Sequence, residues 1–333
     1  MNNAREESTV RAVVVGGFME PGDLCVSEVA SPPLGPADVR IAVRAAGCNF
    51  SDILMLKGEY QVKPPFPFIP GGEVGGIVSE VGAAVSSFAV GDRVLARCAL
   101  GGYAEEVVTP ESATYALPDE LSFEAGAALP TVYPTSYAAL VWRAPVVAGE
   151  TVLVHAAAGG VGLSAVQIAK ALGARVIATA GGPAKLEVAA AAGADVLIDY
   201  RKEDFVPIVL NETEGRGADV IYDSVGGDTT DRSLKCINWN GRLLVIGFAS
   251  GEIPEVKMNR VLLKNISLVG LHWSAYPEKE PARIDQCIEG LFEMAASGGI
   301  DPLISARYSL DKASEALLAL GSRRTVGKIV LVP

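Results

Sequence analysis

Residues 151–182, TVLVHAAAGGVGLSAVQIAKALGARVIATAGG, constrain the fold of this chain more than any other stretch. The apolar run at 151–155 has the composition of a buried strand and breaks at Gly159, Gly160 and Gly162. Apolar residues then recur at helical spacing through Val166, Ile168, Ala169 and Leu172, and Gly173 stops the helix. Residues 175–180 read as a second strand. Strand, glycine turn, helix and strand make a βαβ unit of the length a dinucleotide site uses. Glycine lets the backbone come close to a pyrophosphate, and the helix end supplies unpaired N–H groups and a positive dipole end. Ala158, Gly159, Gly160, Val161 and Gly162 are therefore candidate cofactor contacts. Ala157 takes the place of the first glycine of G-x-G-x-x-G, so Gly159 and Gly162 hold the second and third.

The 333 residues suggest two domains, and a chain half hydrophobic and rich in Gly suits an α/β protein with buried parallel strands. A net charge of −11 argues against nucleic acid or an anionic membrane as partner. No apolar run reaches membrane-span length, and the opening MNNAREESTV has no signal-peptide core. Five scattered cysteines, none in C-x-x-C, read as buried thiols of a cytoplasmic protein without disulfides or a metal site.

Along residues 10–125, short β runs such as VRAVVVGG, DVRIAVRAAG, GGIVSEVG and GDRVLA are punctuated by Gly and Pro, which suits a compact, mostly β domain. Within it, CNFSDILMLKG at 48–58 reads as a short helix facing a cleft, with Asn49 and Ser51 as cap candidates. From Ser122 the period turns helical, with a break at Pro130. Further α/β alternations through ISLVGLHW then give about six strands, a doubly wound sheet. The tail from about Pro281 carries two helices and two strands and is expected to return to the first domain, leaving the cleft between the two. The expected division is 1–125 with 281–333, and 126–280.

AAGCNFSD, PGGEVGGIVSEVG, GDRV, AAAGGVG, VLIDYRKEDF, YDSVGG and GRLLVIGFASG, in this order over nearly the whole length, resemble the medium-chain dehydrogenase/reductase superfamily. The nearest pattern is its zinc-free quinone-oxidoreductase (zeta-crystallin-like) branch. The resemblance implies an α/β protein with a GroES-like, mostly β catalytic domain and a doubly wound Rossmann cofactor domain. Zinc alcohol dehydrogenases of the superfamily have a Cys and a His where this chain has Asn49 and Gly72, and four close cysteines where it has Cys98 alone. Without thiolate or imidazole there is no ligand set for zinc, so no metal is expected and hydride transfer to a conjugated acceptor is the better reading.

NAD sites place an acid at the end of the second strand; here stand Ala180, Gly181 and Gly182. In the resembling reductases a Lys, a Tyr and an Arg surround the 2′-phosphate of NADPH, and Lys185, Tyr200 and Arg323 match those places. The resemblance further puts Asn49, Thr131, Ser224 and Val225 near the nicotinamide, with Gly247, Phe248 and Ser250 lining its pocket. His155 reads as a strand residue, Asp52 as a helix-start residue, and His272 carries no catalytic role. Tyr60 is the candidate donor to the oxyanion that hydride transfer creates, with Asn49 placing the carboxamide or the substrate oxygen. Quinone and enoyl-thioester reductases share that tyrosine, whereas some quinone reductases carry a second aromatic where this chain has Leu54. Three functions compete: an NADPH-dependent reductase of quinones or α,β-unsaturated carbonyls, an enoyl-thioester reductase, and a nucleotide-binding structural or sensor protein. The resemblance also implies a homodimer paired through the late strands near 268–272.

Overall fold

The computed structural model describes residues 9–333, so most of the N-terminal stretch examined for a signal peptide lies outside the described residues. The chain divides into two compact units, Met1–Thr131 with Pro302–Pro333, and Val132–Asp301.

The first unit opens with β1 (Thr9–Val13) and β2 (Val26–Ala30), an antiparallel pair. Then follow β3 (Asp38–Gly47), α1 (Phe50–Leu56), β4 (Glu73–Val81), β5 (Arg93–Arg97), β6 (Glu106–Pro110) and β7 (Thr114–Ala116). Val39, Ile41 and Val43 of β3 are buried together with Val74 and Val78 of β4. This is the alternation of a sheet with one face on the core. Helix α2 (Phe123–Ala128), capped by Ser122 Oγ accepting from Ala125 N at 3.1 Å, lies against β4. It comes so close that a Cβ at Gly75 would stand 2.2 Å from the Phe123 carbonyl oxygen.

The second unit begins with α3 (Val132–Tyr137), which continues as a π-helical segment, Ala138–Arg143. The strands are β8 (Thr151–Val154), β9 (Arg175–Ala180), β10 (Val196–Asp199), β11 (Ala218–Asp223), β12 (Ile237–Val245) and β13 (Ser267–Gly270). They form one parallel sheet of order β10-β9-β8-β11-β12-β13. Between them run α4 (Gly160–Ala171), α5 (Pro183–Ala191), α6 (Phe205–Glu212), α7 (Asp228–Ser233) and α8 (Met258–Lys264). The order reverses between β8 and β11, and in doubly wound sheets the ligand lies beyond the carboxyl ends of the strands at that switch point. Val152, Leu153, Val154, Val176, Ile177, Ile221, Leu243 and Leu244 are fully buried, as strands covered on both faces require.

After α9 (Tyr276–Lys279), helix α10 (Ala282–Ala296) packs on α3, so the unit runs on to Asp301 rather than ending near 280. Its buried stripe Ile284, Cys287, Ile288 and Leu291 lies on that side. The upstream boundary also moves, from 125 to Thr131, because α2 belongs to the first sheet. The tail then supplies β14 (Ile304–Ser309), α11 (Ala313–Gly321) and β15 (Lys328–Val332). Strand β15 pairs antiparallel with β3 and parallel with β14. This brings Lys328 beside Cys48, whose N–H donates to the Ile329 carbonyl at 3.0 Å.

Candidate functional site

Gly159 and Gly162 differ in what their own chain demands of them. A Cβ on Gly162 would stand 2.3 Å from the Ala156 carbonyl oxygen, so helix–strand packing alone requires glycine there. A Cβ on Gly159 would meet only the same oxygen at 3.4 Å, an ordinary contact. Packing within the turn therefore does not by itself require glycine at 159. Ala156 turns the chain with φ 50°, and Gly159 then caps α4, whose first-turn N–H groups have no partner within the helix. Ala158 is buried, while Gly160 and Val161 are half-buried on the first turn.

Beneath this turn, His155 is satisfied on both ring nitrogens, by Thr179 Oγ1 at 3.0 Å and Ser233 Oγ at 2.8 Å, with its ring edge-on to Phe205. Burial pushes its pKa down to about 4, so it is neutral; it stands one residue past the end of β8, in the turn, rather than in the strand its sequence position suggested.

At the end of β9 the backbone is again drawn close. A Cβ on Gly181 would lie 2.8 Å from both the Tyr200 hydroxyl and Arg201 Nε, so these side chains reach over the Gly181–Gly182 turn. Asp199 ties the two loops, accepting from Gly182 N at 3.1 Å and Arg201 N at 3.2 Å. That carboxylate is buried, with Oδ1 taken by the two amides and Oδ2 3.9 Å from the Lys202 ammonium. Lys185, half-buried, lies in the first turn of α5. Arg323, with φ 56°, is exposed in the first unit.

A third loop pair closes the carboxyl ends of β11 and β12. Asp223 accepts from Val225 N at 2.8 Å, Gly226 N at 3.0 Å and the Thr230 hydroxyl, which sets the course of the Ser224–Val225 turn. Backbone bonds from Ala249 N to Ser224 O (3.1 Å) and from Ser250 N to Val225 O (2.9 Å) stitch that turn to the segment after β12. Gly247, Phe248 and Ser250 are thereby gathered around Ser224 and Val225, with Phe248 against Gly226 and 40 % exposed. Neither Asp199 nor Asp223 was picked out from sequence. The available signal was an Asp closing a strand just before turn residues, where such a side chain commonly binds backbone amides.

In the first unit, Asn49 is the N-cap of α1, and its N–H donates to Asp52 Oδ2 at 2.8 Å. The Tyr103 hydroxyl donates to the same oxygen at 2.6 Å. Burial pushes the Asp52 carboxyl up to about 6 despite these donors, and pushes the Cys48 thiol up to about 12. The Asn49 carboxamide is bonded to Glu73 and Lys328, a buried pair that sequence reading missed. Tyr60 lies past the other end of α1, half-buried, its N–H donating to the Leu54 carbonyl at 3.2 Å, and no hydrogen bond links it to Asn49. Thr131, half-buried, ends the unit's first segment. Among the described residues no three His, Cys, Asp or Glu side chains are grouped to hold a metal ion. Four of the five cysteines are buried as expected, but Cys25 is exposed. His272 lies beyond the end of β13 rather than in it, its Nε2 2.8 Å from Ser274 Oγ.

Residues 35–119 match the family model described as alcohol dehydrogenase GroES-like domain, and residues 160–289 that of zinc-binding dehydrogenase. The quinone oxidoreductase-like protein 2 homolog of Nematostella vectensis is 44% identical over 301 residues, 90% of this chain and 82% of that one. Human quinone oxidoreductase is 33% identical over 333 residues, 99% of each chain. Escherichia coli quinone oxidoreductase, solved in complex with NADPH, superposes with TM-score 0.89 at 33% identity, covering 97% of this chain and 100% of that one. The chain belongs to the quinone oxidoreductase branch of the medium-chain dehydrogenase/reductase superfamily and is an oxidoreductase.

Proposed function

We propose that this enzyme reduces quinones or α,β-unsaturated carbonyl compounds with NADPH and without zinc. The observation that carries the reading is the turn after β9, where Gly181 lies under the Tyr200 hydroxyl and Arg201 while the nearby buried Asp199 carboxylate is engaged by two backbone amides and faces Lys202. A 2′-phosphate needs such donors, and an outward carboxylate would repel it. The E. coli relative solved with NADPH supports the same choice. The open space above Gly159 and the α4 N-terminus suit the pyrophosphate. The zipped loops at Ser224–Val225 and 247–250 suit the nicotinamide. NADPH, when bound, supplies the hydride.

The remaining work falls to the chain. Tyr60 donates to the acceptor oxygen that gains negative charge, and Asn49 steadies it. One hydride and one proton complete a quinone's reduction to hydroquinone. Arg323 lies in the other unit, and its part in holding the phosphate rests on the family resemblance alone. Zinc independence rests on Asn49 and Gly72, neither of which can replace a thiolate or an imidazole. The thioester alternative gains nothing from Lys57, whose ammonium is held by Glu20 at 2.8 Å. Two copies pair through the open edge of β13 and the exposed apolar residues of α8, in a reducing cytoplasm that keeps the cysteines free. Calorimetric titration tests the cofactor assignment: NADPH binding at least about tenfold tighter than NADH is expected, and equal affinities would refute it.

A further inference from the structure

The first unit buries a charge pair that the hydride-transfer reading leaves without a task. Glu73 at the head of β4 is fully buried and the Lys328 side chain is 4 % exposed. Lys328 Nζ donates to Glu73 Oε1 at 2.7 Å, Asn49 Oδ1 at 2.6 Å and the Cys48 carbonyl at 2.8 Å. Asn49 Nδ2 donates to the same Glu73 oxygen at 2.8 Å. The second carboxylate oxygen, Oε2, is buried without a partner among the described residues. Well-packed apolar residues often replace such a pair without loss of stability, which directs attention to what the pair orients.

An ammonium only donates and a carboxylate only accepts. Asn49 lies between the two. With Oδ1 toward Lys328 and Nδ2 toward Glu73, both bonds form. With the amide flipped, N–H faces N–H and oxygen faces oxygen, and both are lost. The ambiguity that usually attends an asparagine amide is therefore removed by its neighbours. One Nδ2 hydrogen is committed to Glu73, and the other has no acceptor among the described residues.

We propose that Lys328 is a positioning residue: anchored by Glu73, its ammonium locks the Asn49 carboxamide so that it offers N–H, never C=O, to the acceptor. The inference rests on the reading that Asn49 faces the acceptor. A fixed N–H stabilises an oxygen gaining charge, whereas a rotating amide would present its carbonyl oxygen part of the time and repel it.

The test compares wild type with Lys328→Met and with the charge-neutral double variant Glu73→Gln/Lys328→Met, which leaves no buried unpaired charge and so keeps the fold accessible. Expected with a naphthoquinone is a kcat loss of at least about tenfold, approaching the ~10²-fold cost of losing one oxyanion donor. KM for the quinone and Kd for NADPH should stay near wild type, and Lys328→Arg, which keeps the cation, should recover part of the rate. A folded double variant turning over at the wild-type rate would overturn the proposal. So would kcat, KM and Kd worsening together with thermal stability, the mark of a purely structural pair. A second readout needs no turnover. With 15N-asparagine labelling, the Asn49 side-chain NH2 pair, assigned by its loss in Asn49→Asp, should be downfield and slow to exchange in wild type. It should broaden or move upfield in the methionine variants, and an unchanged pair would overturn the proposal. If wild type reduces no acceptor at all, the functional reading fails while this spectrum still decides the orientation.

Discussion

On the proposed reading Tyr60 serves the acceptor and Lys185 the 2′-phosphate, and single substitutions separate the two roles. Tyr60→Phe removes one donor from the acceptor oxygen, so turnover on enones or quinones should fall by roughly 10- to 10³-fold. NADPH affinity measured by fluorescence should change little, because the tyrosine is assigned to acceptor rather than cofactor. If Lys185 holds the 2′-phosphate as proposed, Lys185→Glu should weaken NADPH by roughly ten- to a hundredfold while barely touching NADH. Equal losses for both cofactors would move the phosphate elsewhere. Residues of this kind can be named from sequence because the family resemblance carries them by motif position. The Glu73–Lys328 pair was not. Its members are 255 positions apart, and only the return of β15 to β3 makes them neighbours. Nothing local marks a lysine in GKIVLVP as buried.

Among the elements, the β8–α4 turn yields the sharpest contrast. Gly162→Ala forces a Cβ to 2.3 Å from a backbone oxygen, so the helix must shift, at about 1–3 kcal/mol, and the unfolding midpoint should drop. Gly159→Ala meets nothing closer than 3.4 Å and should leave the midpoint nearly unchanged; on the proposed reading, which puts the pyrophosphate over this turn, it should nonetheless weaken NADPH. Calorimetry of the two variants with and without cofactor would show whether the losses divide in this way. The glycine string alone could not tell these roles apart, since both positions read as the same letter.

His155 and Asp52 make opposite contributions to the acid response of the units that hold them. The imidazole is pushed from 6.5 down to about 4 in the fold, so its contribution is complete above 6.5 and is lost as pH falls toward 4. The Asp52 carboxyl is pushed from 3.8 up to about 6, so it favours the folded state most at low pH, an advantage lost as pH rises through that range. Each effect is on the order of 3 kcal/mol. Trp142, Trp239 and Trp273 all lie within Val132–Asp301, so tryptophan fluorescence follows the second unit. Its stability should decline between pH 6.5 and 4, and His155→Gln should flatten that decline.

For the molecule as a whole, strand alternation and helical period announced both units, while their borders depended on packing. Helix α10 carries an ordinary amphipathic pattern that suits either unit, and only its seat against α3 assigns it. Assembly is the other property of this scale. Met258, Leu262 and Leu263 on α8 are 68%, 78% and 71% exposed, and β13 ends the sheet with one edge open. Sedimentation velocity should show a dimer, and a Leu262→Glu/Leu263→Glu variant should sediment as a monomer while still binding NADPH. An unchanged dimer would place the contact elsewhere. The most direct test of the whole account follows the NADPH absorbance band of the wild-type enzyme with a naphthoquinone, a simple enal and crotonyl-CoA. Oxidation with the quinone or the enal, undiminished by a zinc chelator, is the predicted result. Oxidation with the thioester alone, or tight NADPH binding with no acceptor reduced, would contradict it.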